Sequence, residues 1–353
     1  VTATPRCPHR TARGQYRSSS RPTGSVLTKG KRVTSEPFRL AALPTLSRAT
    51  AARDETARKD PERLDRLWKA GRVLLVDKQG RTPVRDGGTA LAPRPALAVA
   101  DERPAEAMLL GEQGDESYWV LSSDEQVRPI PAPPGAWSLW AGAESADGEQ
   151  WHDLRGVGSL LDDTAAGLFT TAVGLVNWHA RARFCAKCGS PVDRTAAGWA
   201  SKCTGCGREE YPRTDPAVIC LVHDGGDQVL LARQPIWPAH RYSVLAGFVE
   251  TGESLEACVE REIAEEVGVQ VTDIRYLGSQ PWPFPRSIMI GFTATADPAA
   301  PLVPADGEIE HAHWVHRAKV VEALANGGQL PDLILPGETS IARQMVAGWA
   351  AHS

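Results

Sequence analysis

The sequence predicts an α+β protein built from three folded units, and three observations predict it. Residues 33–182 mix amphipathic-helix and strand patterns in one stretch. Four cysteines in two CxxC pairs then mark a separate small module over 183–212. Residues 213–353 read as a hairpin, a glutamate-rich helix, a strand–loop–strand unit and two closing helices. A chain of 353 residues is long for one core, in keeping with several domains.

The first 32 residues stand apart. They carry Arg6, Arg10, Arg13, Arg17, Arg21, Lys29, Lys31 and Arg32, many Ser and Thr, and no acidic residue. That composition is similar to an organellar transit peptide, but without an amphipathic stripe. The chain starts at Val1, and a reading frame over-extended from near Val33 is expected, with 1–32 disordered. Beyond it, 42% apolar and 23% charged residues are ordinary for a globular chain. No apolar run is long enough to span a bilayer, so no membrane association is expected. The net charge of −4 argues against a dedicated nucleic-acid-binding protein.

In the N-terminal unit, residues 61–76 (PERLDRLWKAGRVLLV) predict a short amphipathic helix, a stop at Gly71 and a buried strand. MLLGEQGDESYWVLS (108–122) predicts two strands around a glycine turn, and RPIPAPPGAWSLW (128–140) a loop. Ala, Leu and Val at helical spacing then predict a helix ending near residue 182. No catalytic signature lies in this unit.

Cys185-x-x-Cys188 and Cys203-x-x-Cys206 are fourteen residues apart, and Gly189 and Gly207 follow the pairs directly. Two thiolates on each of two tight turns can surround one ion tetrahedrally, the preference of structural Zn²⁺. Four thiolates leave no open coordination position, so the ion's role is folding. With Cys7, Cys220 and Cys258 the count is seven, an odd number that points to a reducing compartment, here the cytoplasm, not to disulfides.

In the C-terminal unit, PAVICLVHDGGDQVLLARQ predicts a hairpin around Asp224–Asp227. GFVETGESLEACVEREIAEEVGV (247–269) predicts a helix capped by Ser254 and stopped at Gly268, with Leu255, Val259 and Ile263 facing a core. Glu262, Glu265 and Glu266 crowd another face, where like charges cost a few tenths of a kcal/mol per pair. Rigidly held carboxylates make a hard anionic site suited to Mg²⁺ or Mn²⁺. His311, His313 and His316 are expected to be surface or packing residues.

The segment resembles the Nudix hydrolase box at every fixed position: Gly247, Glu253, Arg261, Glu262, Ile263, Glu265, Glu266, Gly268 and Val269. The resemblance implies an α/β/α sandwich with a mixed sheet, and hydrolysis of a nucleoside diphosphate linked to another moiety. It implies that Glu262, Glu265 and Glu266 are catalytic and hold more than one Mg²⁺ or Mn²⁺, with one of the three glutamates as base. It further implies metal contacts from Glu308 and the Ala246 carbonyl, with Glu310 the local competitor of Glu308. Glu253 and Arg261 would pair to fix the loop on the helix.

SQPWPFPRS (279–287) follows. Pro281, Pro283 and Pro285 stiffen this loop, so that Trp282 and Phe284 can be presented in one arrangement, either to stack on a base or to plug the core. After a Nudix box and a four-cysteine ribbon, the motif resembles that of the NADH pyrophosphatase subfamily, whose N-terminal domain is Nudix-like. This implies cleavage of NADH or NAD⁺ to the (reduced) mononucleotide and AMP, removal of NAD caps from RNA, and a homodimer. It implies substrate contacts from Gln280, Pro281, Trp282, Pro283, Phe284, Pro285, Arg286 and Ser287, and from Tyr211, Ala342 and Arg155. The family's acidic residue in the ribbon is missing from TAAGW (195–199), which puts that contact in doubt. Two other readings stay open: an ADP-ribose or dinucleoside polyphosphate pyrophosphatase, and a non-enzymatic regulator with a nucleic-acid-binding ribbon and a nucleotide-sensing Nudix domain.

Overall fold

The structure, a computed structural model, describes residues 38–40, 42–130 and 142–352. The basic leader lies outside these residues, as does most of the loop expected over 128–140. Of its described part, Arg128 and Pro129 belong to a short strand, Val127–Pro129.

The helix Pro61–Lys69 forms as expected, with the Asp60 carboxylate accepting a hydrogen bond from the Arg63 amide and Pro61 in the first turn. Gly71 does not stop it. The helix ends at Ala70 in an ordinary conformation, and Gly71 opens the strand Gly71–Val76. Glycine is needed there for close approach, since a Cβ would lie 2.8 Å from Nε1 of Trp119. That strand runs parallel to Glu116–Ser122, which pairs antiparallel with Met108–Gln113. A second, five-stranded sheet includes Arg81–Arg85 and Gln150–Asp153. The helix Asp163–Arg181, capped by Asp162, buries Phe169, Ala172 and Val173 against Leu74, Met108 and Val120.

The cysteine module is a three-stranded antiparallel sheet of Val192–Thr195, Ala200–Cys203 and Glu209–Glu210. Its tip is wedged into the N-terminal unit. The Trp199 indole donates to the Leu109 carbonyl at 2.6 Å, and His179 Nε2 meets the Gly198 carbonyl at 2.8 Å. Gly198 has φ +89°, and a Cβ there would collide with the Met108 side chain.

The C-terminal unit is a mixed sheet between helices. Its path runs Thr272–Trp282, Ser287–Thr295, Asp215–His223, Gln228–Arg233 and His311–His316, with Leu245–Phe248 paired antiparallel to Asp215–His223. Alternation along Asp215–His223 sorts the two cores. Val218, Cys220 and Val222 pack with Val259 and Ile263 of the helix Leu255–Val267. Ile219 and Leu221 pack on the other face with Met345 and Trp349 of Ile341–Ala351 and Val320 of Arg317–Ala325. The result is the α/β/α sandwich.

The stretch expected as a proline-rich loop is mostly strand. Thr272–Trp282 runs through Gln280 and Pro281, and only residues 283–286 turn before Ser287–Thr295. The prolines are tolerated because this strand lies at the sheet edge.

Candidate active site

The four cysteines converge: their Sγ atoms all lie within 4.8 Å of one another. Cys188–Cys203 and Cys185–Cys206 are 3.4 and 3.7 Å apart. Tetrahedral thiolates at ordinary Zn–S distance would stand about 3.8 Å apart, so the donor set fits one zinc ion. The amides of Lys187 and Cys206 donate to Cys185 and Cys203 sulfurs, and Gly189 and Gly207 take the left-handed turn that follows each pair.

The box helix is Leu255–Val267. The Ser254 hydroxyl accepts from the Ala257 amide, and Gly268 ends the helix at φ +77°. Arg261 organises its entrance. Nε and Nη2 grip both oxygens of Glu253 at 2.8 and 2.9 Å, Nη2 donates to the Phe248 carbonyl, and Nη1 bonds Glu262 and Glu265, each at 2.9 Å. These bonds from Arg261 hold the Glu253 carboxyl down at about 2.

Glu266 is in a different environment. It is only 7% exposed, and its Oε2 is a buried oxygen with no hydrogen-bond partner. Burial, with repulsion from Glu262 and Glu308, pushes its carboxyl up to about 8, while the Ala246 backbone acts in the opposite direction. Glu262 is raised as well, first by burial and then by Glu265 and Glu308. Over Gly247 there is no room for a side chain, because an ideal Cβ would lie 1.8 Å from the Glu262 carboxyl carbon. An orphaned buried oxygen among like charges is unfavourable until a cation joins it. Carboxylates are hard oxygen donors of the kind Mg²⁺ and Mn²⁺ take, and Glu262, Glu266 and Glu308 repel one another here, although among the described residues only the four cysteines bring their ligand atoms within 4.8 Å of one another. Glu265 is exposed and bound to Arg261. Glu310, the competitor of Glu308, is committed to a salt bridge with Arg233.

A cleft of about 470 Å³ opens on the opposite face of the sheet. Ile219 and Met289 form its floor, Trp282 and Trp237 its aromatic walls, and Arg155 and Arg241 its cationic groups. Residues 336–340, which lead into the helix Ile341–Ala351, close one side. Ile219 pairs in register with Ala246, so one strand pairing separates the cleft from the neighbourhood of Glu266.

Of the SQPWPFPRS residues, Trp282 lines this cleft and Phe284 packs edge-on against it at 4.9 Å. Both rings also pack against the N-terminal core, and the Arg155 guanidinium lies 3.7 Å over the Phe284 ring. Trp282 thus lines a cleft and packs on the core at once, and Phe284 takes part in the core packing. Gln280 is fully buried with Nε2 on the Thr339 carbonyl, Pro283 and Ser287 are buried, and Pro281, Pro285 and Arg286 are exposed. Ala342 is buried beneath the residues of the rim, its amide bonded to Ser340 Oγ. Tyr211 is not among the residues lining the cleft; it is 57% exposed on the ribbon, its hydroxyl on Glu209.

The sequence reading missed Trp237, Arg241 and Phe248. The Trp237-Pro238 pair was legible only as a loop. Phe248 follows the box glycine in a strand, where a buried ring would be expected, yet it is 58% exposed. The three histidines pack as expected: His311 bonds the Tyr242 hydroxyl, His313 stacks edge-on against the Tyr242 ring, and His316 caps the following helix.

Comparison with known proteins agrees with this architecture in order along the chain. Residues 67–178 match the NADH pyrophosphatase-like rudimentary NUDIX domain, 180–211 the NADH pyrophosphatase zinc ribbon domain, and 213–333 the NUDIX domain. The NAD-capped RNA hydrolase NudC of Mycobacterium bovis (strain BCG / Pasteur 1173P2) is 45% identical over 319 residues, 89% of this chain and 97% of that protein. The protein of the same name from Mycobacterium tuberculosis (strain ATCC 25618 / H37Rv) is 44% identical over the same span. That of Pseudomonas aeruginosa (strain LESB58) is 36% identical over 292 residues, 79% of this chain and 92% of that protein. A complete box on a capped helix, a four-thiolate ribbon and relatives aligned over nearly their whole length give one assignment: the chain belongs to the NADH pyrophosphatase family of Nudix hydrolases.

Proposed function

We propose that this enzyme hydrolyses the pyrophosphate bond of NADH and NAD⁺ to the mononucleotide and AMP, and removes NAD caps from RNA to leave a 5′-monophosphate. The observation that carries the reading is the aromatic, arginine-bearing cleft one strand pairing from Glu266, whose buried Oε2 has no hydrogen-bond partner. A flat ring with phosphates attached is the ligand such a cleft suits: Trp282 and Trp237 offer faces, Arg155 and Arg241 offer charge. The relatives' name, NAD-capped RNA hydrolase, supports the same substrate.

In this reading Glu262, Glu265, Glu266 and Glu308, with the Ala246 carbonyl, would hold Mg²⁺ or Mn²⁺. Bound there, the ions would offset phosphate charge and lower the pKa of the attacking water. The chain's own contribution is positional. Arg261 fixes the entrance loop through Glu253 and holds Glu262 and Glu265 in place. Arg155, braced on Phe284, reaches the substrate together with Trp282. The backbone at Ala342 would shape the rim, with Phe284 and Gln280 behind it, while Pro281, Pro283, Arg286 and Ser287 line a neighbouring cleft on the same hairpin. The exposed Tyr211 ring suits contact with the substrate of a second subunit, so a homodimer acting in the cytoplasm is the assembly proposed.

The test is a parallel assay of NADH, NAD⁺, ADP-ribose and NAD-capped RNA with Mg²⁺ or Mn²⁺. NADH and capped RNA should be hydrolysed with kcat/KM well above that for ADP-ribose. A preference for ADP-ribose would overturn the substrate assignment.

A further inference from the structure

On the far side of the hairpin 272–295 lies a second cleft, of about 440 Å³. It is bounded by the helix Asp163–Arg181, the ribbon tip at Trp199, residues 212–214 and the edge strand. Along the strands Ser279, Pro281 and Ile288 line this cleft, whereas Trp282 and Met289 line the other; Ser287, next to the turn, also lines this one.

Its charge is one-sided. Arg53, Arg213 and Arg286 line it, and no aspartate or glutamate does. A smaller depression adjoins it at Arg286 and adds Arg181 and Asn177, again without a carboxylate. Arg213 makes no ion pair among the described residues, and Arg286 bonds Asp215 through Nε, which leaves its terminal nitrogens for a ligand. Arg53 bonds the Thr171 hydroxyl at 2.8 Å and stands 5.7 Å from the Trp199 ring, whose face Arg58 covers at 3.8 Å. In a chain of net charge −4, a row of arginines across two adjoining depressions with no carboxylate in their lining, Asp215 being paired with Arg286 beside them, is a local polyanion footprint.

We propose that this cleft holds the RNA body of a capped transcript, with Arg53, Arg213 and Arg181 on successive phosphates beyond the hydrolysed cap. The inference rests on the deNADding reading above and adds where the polymer runs. A free dinucleotide has one diphosphate, which the carboxylate site takes. A row of guanidinium groups past the hairpin tip calls for further phosphates, which the RNA chain supplies. Arginine forks and hydroxyls bind backbone without reading sequence, so single strands of any sequence should be accepted.

The test uses the full-length, zinc- and metal-loaded protein and the double variant Arg53→Gln/Arg213→Gln. Expected is a loss of about tenfold in kcat/KM on an NAD-capped RNA oligonucleotide at about 0.15 M salt, with NADH hydrolysis unchanged. The slope of log kcat/KM against log salt should also become shallower by about 1.4, the single-strand value for two phosphates. Anisotropy of a fluorescent 5′-monophosphate RNA, without hydrolysis, should show the same weakening of binding. Equal losses on NADH and capped RNA, or an unchanged salt slope, overturn the proposal. So does a change of oligomeric state in the variant, which would mark the cleft as a subunit interface. A wild type that binds the RNA yet hydrolyses neither substrate would refute the proposed function and leave the RNA cleft standing.

Discussion

The carboxylate of Glu262 occupies the space that a side chain at position 247 would need: a Cβ on Gly247 would stand 1.8 Å from its carboxyl carbon. The two residues are fifteen apart in sequence and meet because the strand Leu245–Phe248 lies beneath the helix Leu255–Val267. The glycine of the box is thus a seat for the Glu262 carboxylate, with no left-handed backbone involved.

Gly247→Ala tests that relationship. The colliding atoms are the far end of a flexible side chain, so Glu262 can swing aside and the fold should lose no more than about 1 kcal/mol. The displaced carboxylate should nonetheless lower kcat by about a hundredfold or more. Thermal melts together with turnover at saturating Mn²⁺ decide it; near-wild-type turnover would remove Glu262 from the proposed metal ligands.

Glu308 and Glu310 should separate cleanly. Glu308 is coupled to Glu262 and Glu266, whereas Glu310 is held by Arg233. Glu308→Gln should therefore raise the Mn²⁺ concentration for half-activation, and Glu310→Gln should leave it within about twofold. Metal titrations of both variants are the measurement, and a reversed result would exchange their roles.

Trp282→Ala should have two effects, because the ring both lines the cleft and packs on the N-terminal core. The stability loss should be about 3 kcal/mol, the scale for removing a large aromatic. At temperatures where the variant stays folded, kcat/KM for NADH should fall about five- to hundredfold, with a minimal pyrophosphate substrate affected much less. Uniform losses on both would leave Trp282 a packing residue.

His179 gives a pH signature. Burial holds its imidazole down at about 4, while its Nε2 meets the Gly198 carbonyl at 2.8 Å. On acidification the unfolded chain takes up this proton first, near the ordinary 6.5. Its contribution is therefore present above pH 6.5 and is lost as pH falls from 6.5 through about 4, up to about 3 kcal/mol. Denaturant melts of His179→Gln should lack this part of the wild-type decline between pH 7.5 and 5. Parallel curves for the two proteins would rule the histidine out as its source.

Local chemistry was legible in the sequence wherever it rests on spacing along one element. CxxC pairs fix two thiolates per turn, Ser254 and Gly268 bound a helix by their backbone preferences, and Glu262 and Glu266 share a face because they lie one turn apart. Pairing across the sheet was not legible, because registers such as Ile219 on Ala246 come from long-range packing. The 279–287 stretch read as a loop because prolines oppose strands; its place at a sheet edge reversed that. Net charge likewise concealed the arginine cleft, since a sum over 353 residues loses the position of every charge. The sequence by itself determined the zinc ligands, the carboxylate helix and the family resemblance. Only the tertiary structure decided that Glu266 is buried with its Oε2 unpartnered, that Phe248 is exposed, and that Arg53, Arg213 and Arg286 share one cleft. The physical reason is that desolvation and charge repulsion depend on distances through space, which the chain acquires on folding.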